Sequence, residues 1–150
     1  MSNNQLEVNL RLVNQKVQFI GVSESNLDHP LTLDYVPPFG DGQGFRGLEL
    51  FLISFTGCVS TAMVYLLRKM GKEIAGFQVK ANGIRRENPL SLQAIQLKVT
   101  LESMDAVESD LQTVIKQAEE ISPVWLVLKN NVEVMIEYEI VRPDPTKMIY

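Results

Sequence analysis

Cysteine occurs once in these 150 residues, at Cys58, and histidine once, at His29. A single thiol excludes an internal disulfide framework, so nothing in the chain asks for an oxidising compartment. A lone histidine without further His or Cys ligands leaves metal binding without a donor set, and no metal or other cofactor is expected. Basic residues are outnumbered, 14 against 18 acidic ones, for a net charge of −4. Phosphate binding needs a clustered basic surface, so neither nucleic acid nor an anionic membrane is an expected partner. The nearest basic cluster, Arg85-Arg86 with Lys80, runs straight into Glu87 and reads as a solvated hairpin end. The opening segment MSNNQLEVNLRLVNQ lacks a basic stretch followed by an apolar one. No signal peptide is therefore read, and the cytoplasm is the expected location. No repeat of 20–50 residues and no low-complexity block is present.

What is there is enough for a packed core in a single domain spanning residues 1–150, with 45% apolar and 21% charged residues. Residues 50–67, LFLISFTGCVSTAMVYLL, carry no charge over 18 positions, the lower limit of a membrane span. Glu49 and Arg68 bound the run tightly, and Ser, Thr and Gly interrupt it. A helix apolar all round is also what the centre of a globular core requires, and that reading is preferred.

Around this helix, placed at about 48–70 with Gly71 as its C′ residue, the chain alternates. Leu6, Val8, Leu10 and Leu12 predict a half-buried strand over 6–12, followed by a second over 17–21 and a third over 31–35. The punctuated segment FGDGQGFRG, from Phe39 to Gly47, reads as a flexible loop. Residues 76–86 and 93–101 form an antiparallel hairpin through Glu87-Asn88-Pro89, with Ile95, Leu97, Val99 and Leu101 turned inward. Asp105 and Glu108 suggest a capped helix over about 106–121. Ser122-Pro123 reads as N-cap and N1 of a short helix closed by Asn130-Asn131. A last strand, 132–141, precedes a tail from about 142 expected to be loosely ordered. The order is that of an α+β domain, with antiparallel sheets around one long buried helix.

Few motifs carry chemistry. Gly42, Gly44 and Gly47 spell GxGxxG, but Pro37-Pro38 stands where a strand should, and no acid falls in residues 62–69. His29, between Asp28 and Pro30, reads as a surface turn histidine. Glu133, Glu137 and Glu139 share the outer side of the last strand, as a solvated face does. Glu49 and Cys58 remain. Nine helical residues turn through about 900° and rise roughly 13.5 Å, so the two are not a contacting pair on one straight helix. A carboxylate in the first turn suits the macrodipole. A lone cysteine in a core helix is either a small buried hydrophobe or, beside a cation or a helix N-terminus, a reactive thiol.

The run Gly47-Leu48-Glu49-Leu50-Phe51-Leu52-Ile53-Ser54-Phe55-Thr56-Gly57-Cys58 resembles the P-x-E-L-L-L-A-A-x-G-x-C helix of the OsmC/Ohr family, the osmotically induced and organic-hydroperoxide-resistance proteins. Gly83-Ile84-Arg85-Arg86-Glu87-Asn88-Pro89 resembles the family's arginine-rich hairpin, and Ser122-Pro123-Val124 its C-P-V motif; together the likeness covers about residues 45–141. The resemblance implies an intertwined homodimer with the central helices buried. It also implies that Cys58 attacks an organic hydroperoxide as a thiolate, with Glu49 holding an arginine that activates it. Arg46 and Arg11 are the candidates for that arginine. In the family a second cysteine condenses with the sulfenic acid; Ser122 occupies its position here, and a hydroxyl does not resolve a sulfenic acid. Three readings follow. One is a single-cysteine hydroperoxide reductase recycled by an external thiol reductant. Another is an inactive homodimer binding a small apolar ligand. The third is a structural dimer in which Cys58 only packs.

Overall fold

A computed structural model describes residues 4–144 and 146, so the tail expected to be loose lies, at 145 and 147–150, outside the described residues. The chain divides into two compact units between Phe51 and Leu52, inside the long helix. The first unit contains β1 (Val8–Leu12), β2 (Phe19–Ser23) and β3 (Asn26–Leu33), an antiparallel meander. The first strand, expected to be half-buried, is exposed along its whole length, with Leu10 at 55% and Leu12 at 52%. Alternation correctly marked it as a strand, but nothing within its own unit covers its apolar face. The third strand starts five residues earlier than its sequence suggests and takes in Asp28, His29 and Pro30. Pro30 disguised it; an edge strand tolerates the missing N–H, and β3 is an edge. His29 is therefore a strand residue, not a turn residue, and its Nδ1 lies 2.8 Å from Asn26 Oδ1.

The long helix α1 spans Gly47–Lys69. It ends as glycine at C′ requires: Gly71 takes φ +77°, its N–H reaches Arg68 O, and Lys72 N–H reaches Leu67 O at 3.0 Å. By length and composition it is the one helix among the described residues able to cross a membrane. Within the chain it buries a single stripe at i, i+4 spacing, Phe55, Val59, Met63 and Leu67, and leaves Ile53 and Tyr65 exposed.

The second unit holds the rest of the core. Strands β4 (Gly76–Glu87) and β5 (Leu90–Glu102) form the expected hairpin, pairing Phe77 with Leu101, Val79 with Val99 and Ala81 with Leu97. Ile95, Leu97, Val99 and Leu101 are all buried. Gly83 lets the leucines beside it come close: a Cβ there would lie 2.8 Å from Leu92 Cδ2 and 3.0 Å from Leu52 Cδ1, so those two side-chain ends would have to shift. The chain then forms α2 (Glu108–Ile121) and α3 (Pro123–Leu128) before β6 (Glu133–Val141) joins the sheet beside β5. This last pairing is parallel, a departure from the all-antiparallel expectation. The two intervening helices supply the long crossover that a parallel neighbour needs.

Helix α2 also starts later than its sequence suggests. Asp110, not Asp105, closes its first turn, its Oδ2 accepting the Val107 N–H at 2.9 Å. Asp105 is occupied elsewhere, accepting Glu73 N–H and the Ser103 hydroxyl, both at 3.0 Å. Lys72 pairs with Asp110 at 3.2 Å, which ties the end of α1 to the start of α2. The Val107 N–H bond lowers the Asp110 pKa most, burial opposes it, and Lys72 lowers it further.

Candidate functional site

In the first unit the site residues are positioned by a loop that the sequence presents only as a string of turn formers. Asp34, 5% exposed, directs its carboxylate inward. Its Oδ1 accepts Tyr35 N–H at 2.8 Å, and its Oδ2 accepts the N–H groups of Asp41 and Gln43, both at 3.1 Å. These bonds, Gln43 first, hold its pKa below the ordinary carboxylate value against the opposing effect of burial. Gly40 sits against this carboxylate so closely that a Cβ would collide with Asp34 Oδ1 and Tyr35 O. The loop read as flexible is thus tied down, and GxGxxG serves this turn rather than a phosphate cradle. Two further bonds, Phe45 N–H to Thr32 O and Asp34 N–H to Phe45 O, both 3.0 Å, fix where the chain enters α1.

Arg46 and Glu49 follow at once. Glu49 Oε1 accepts the Arg46 backbone N–H at 2.9 Å and its Nε–H at 3.0 Å. The side-chain bond lowers the Glu49 pKa most, the backbone bond adds to it, and the Arg46 pKa is raised in return. Because only Nε is engaged by Glu49, the two Nη groups remain available as donors. Arg11, the other candidate, lies on exposed β1, opposite Ile20 of β2, and its side chain makes no ion pair or hydrogen bond among the described residues. Arg46 and Glu49 are thus brought together, whereas Arg11 has no such anchor.

In the second unit, Cys58 lies on α1 with its residue neither fully buried nor exposed. Ser122 ends α2, its N–H reaching Ala118 O at 2.9 Å, and opens α3. The sequence marks it as a side-chain N-cap, yet its hydroxyl makes no cap bond and is buried without a partner. Pro123 at N1 has no N–H to offer it. Phe55 on α1 meets Trp125 on α3 edge to face, with centroids 5.7 Å apart. That contact and the Asp34 clamp escaped the sequence reading. The only sequence signal for the clamp is an acid at the head of a Pro- and Gly-rich segment.

The matched family is described as OsmC-like protein, over residues 40–137. This covers well over half of the chain. The chain belongs to the OsmC family. Its fold agrees. An OsmC-like protein from Mycoplasma pneumoniae superposes with a TM-score of 0.79 at 18% identity, over 95% of this chain and 100% of that one. An organic hydroperoxide resistance protein OsmC from Legionella pneumophila gives 0.68 at 11% identity, over 93% and 99%. The organic hydroperoxide resistance protein OhrB of Bacillus subtilis gives 0.60 at 15%, over 90% and 98%. At these identities the structures establish the OsmC fold alone. A comparison with curated proteins finds no match. The family match spans Glu49, Cys58 and Ser122, and Arg46 with them; Arg11 lies outside it.

Proposed function

We propose that this OsmC family member is a thiol-dependent organic hydroperoxide reductase that works through one cysteine. The Cys58 thiolate attacks the peroxide O–O bond. The sulfur is oxidised to sulfenic acid, and the peroxide leaves as an alcohol once its alkoxide oxygen takes up a proton. Ser122 supplies no second thiol, so an external reductant completes the cycle. Two equivalents of thiol reduce the sulfenic acid, giving back Cys58, one disulfide and one water. Arg46 is the proposed activating cation and Glu49 the residue that orients it. The observation that carries this reading is the double hydrogen bond from Arg46 to Glu49 Oε1, an arginine held by the glutamate of the Glu49/Cys58 helix. Arg46 is preferred to Arg11 on that ground.

The working form is proposed to be a cytoplasmic homodimer. Exposed apolar residues on α1 (Ile53, Tyr65) and on β1 (Val8, Leu10, Leu12) support a partner chain. The test is consumption of cumene hydroperoxide with a dithiol present, comparing the parent with Cys58→Ser. Loss of turnover in the variant is expected; equal rates would overturn the reading.

A specific observation favours one alternative. In the first unit Leu33, Tyr35, Phe39 and Phe45 line an open depression of about 350 Å³, the lower end of a small-molecule site. If Cys58→Ser matches the parent, a non-enzymatic dimer holding a small apolar ligand there becomes the better account.

A further inference from the structure

Where α1 ends, the second unit has a hollow that the proposed peroxide chemistry does not use. Arg68, Lys72, Glu73, Ile74, Ala75 and Met104 line it, and its volume is about 330 Å³. That is the lower end of the range for small-molecule sites. The backbone around it is well anchored. Lys72 N–H reaches Leu67 O at 3.0 Å, Glu73 N–H reaches Asp105 Oδ1 at 3.0 Å, and Ala75 N–H reaches Glu102 O at 2.8 Å.

The charges along its wall are unevenly engaged. The Lys72 ammonium is held by Asp110 Oδ2 at 3.2 Å and by Asp105 O at 3.3 Å. The side chains of Arg68 and Glu73 make no hydrogen bond or ion pair among the described residues, with each other or with any other group. Lys72 and Asp110 offset each other, so one unengaged cation and one unengaged carboxylate remain. Ile74, Ala75 and Met104 add an apolar surface, and Met104 is 49% exposed. A plain anion would gain Arg68 but meet the charge of Glu73, and a plain cation would meet the reverse. A small ligand with one charge of each sign and a short apolar body matches the whole lining.

We propose that this hollow binds a free α-amino acid with an apolar side chain, as its zwitterion. Arg68 takes the carboxylate, which its planar fork of N–H donors suits. Glu73 takes the ammonium group, and the apolar side chain lies against Ile74, Ala75 and Met104. Arg68 is ten residues beyond Cys58, roughly 15 Å along α1, so the ligand is not a reactant at the thiol.

The experiment is a titration of the full chain followed by the backbone amide signals of residues 68–75 and 104. The probes are L-leucine, 4-methylpentanoate, which lacks the ammonium group, and 3-methylbutylamine, which lacks the carboxylate. Leucine should shift those signals with half-saturation near about 1 mM, and each analogue should bind about tenfold more weakly. Arg68→Gln should weaken leucine by about the same factor and leave the amine unchanged; Glu73→Gln should weaken leucine likewise and leave the carboxylate analogue unchanged. Both residues are exposed, so neither replacement touches the core, and unchanged signals elsewhere confirm the fold. An analogue that binds as tightly as leucine would overturn the proposal, since one charge would then suffice. So would the absence of any shift with leucine or phenylalanine up to about 20 mM.

Discussion

Glu49 Oε1 receives two hydrogen bonds from one residue, the backbone N–H of Arg46 and its Nε–H. A single carboxylate oxygen thus caps the start of α1 and fixes the direction of the guanidinium. The two partners are nearly half exposed, so the pair contributes little to stability; surface ion pairs seldom do. Its value lies in orientation. Glu49→Gln keeps an acceptor oxygen and removes the charge that strengthens both bonds. Peroxide turnover should fall roughly tenfold with little change in melting temperature. A variant as active as the parent would remove Glu49 from the mechanism.

The Asp34 clamp makes a sharper demand. Two N–H groups, from Asp41 and Gln43, converge on Oδ2, while Oδ1 accepts from Tyr35. An amide has only one acceptor oxygen, so Asp34→Asn must turn an NH₂ group toward at least one backbone donor. The expected outcome is a melting temperature lowered by roughly 5 °C and faster proteolysis of the 35–45 loop. Asp41→Asn, which alters only an exposed side chain paired with Lys16, serves as the control.

How much of this was legible can be judged from the same residues. Period-two runs such as Ile95-Leu97-Val99-Leu101 lead directly to strands, because a buried face forces alternation. The uncharged run over 50–67, with Gly71 just beyond it, leads directly to α1. The strand containing His29 and Pro30 was hidden because an edge tolerates residues that would break an interior strand. The parallel placement of β6 was hidden because alternation reports a face and not a direction. Asp34 looks like any turn acid until three amides are seen to converge on it, and those amides are placed by Gly40 and the loop as a whole. Of the candidate site, Glu49 and Cys58 enter through the family resemblance of the helix sequence, and Arg46 only as one of two candidates. The choice of Arg46 rests on a hydrogen bond that spacing alone does not reveal.

The contact of Phe55 with Trp125 should dominate the stability of the second unit. Phe55 is fully buried and Trp125 nearly so. Phe55→Ala removes a ring from a site walled by a helix and an aromatic edge, where collapse is limited. A loss of about 3–5 kcal/mol in urea unfolding is expected. Ile53→Ala, two residues away on the exposed side of α1, should cost far less in the monomeric chain.

Acid should destabilise the fold in a defined window. Asp34, Asp105 and Asp110 are all held below the ordinary aspartate range, each chiefly through a backbone N–H bond. A carboxyl group whose folded pKa is depressed adds stability above its unfolded pKa and loses it as pH falls through the folded value. The melting temperature should therefore be flat with respect to these groups above about pH 5 and fall steadily below about pH 4. Lys72→Met should shrink the part due to Asp110 without abolishing it, because the Val107 N–H bond remains.

The exposed side of α1 carries the last expectation. Ile53 is 54% exposed and Tyr65 59%, and between them Gly57 has no neighbour within 4 Å of where a Cβ would stand. Together with Thr61 these residues recur every four positions, so they form one stripe opposite the buried Phe55-Val59-Met63-Leu67 row. A stripe with small residues at its centre and large apolar ones at its ends allows close approach by another helix. Its exposure in the single chain supports a second copy as the partner. Ile53→Glu places a charge in that surface while leaving the buried row untouched. For the proposed homodimer, sedimentation should then shift from dimer to monomer, with the far-ultraviolet helix signal retained. A variant that sediments like the parent would place any dimer contact elsewhere, with the exposed β1 residues Val8, Leu10 and Leu12 the next to be changed.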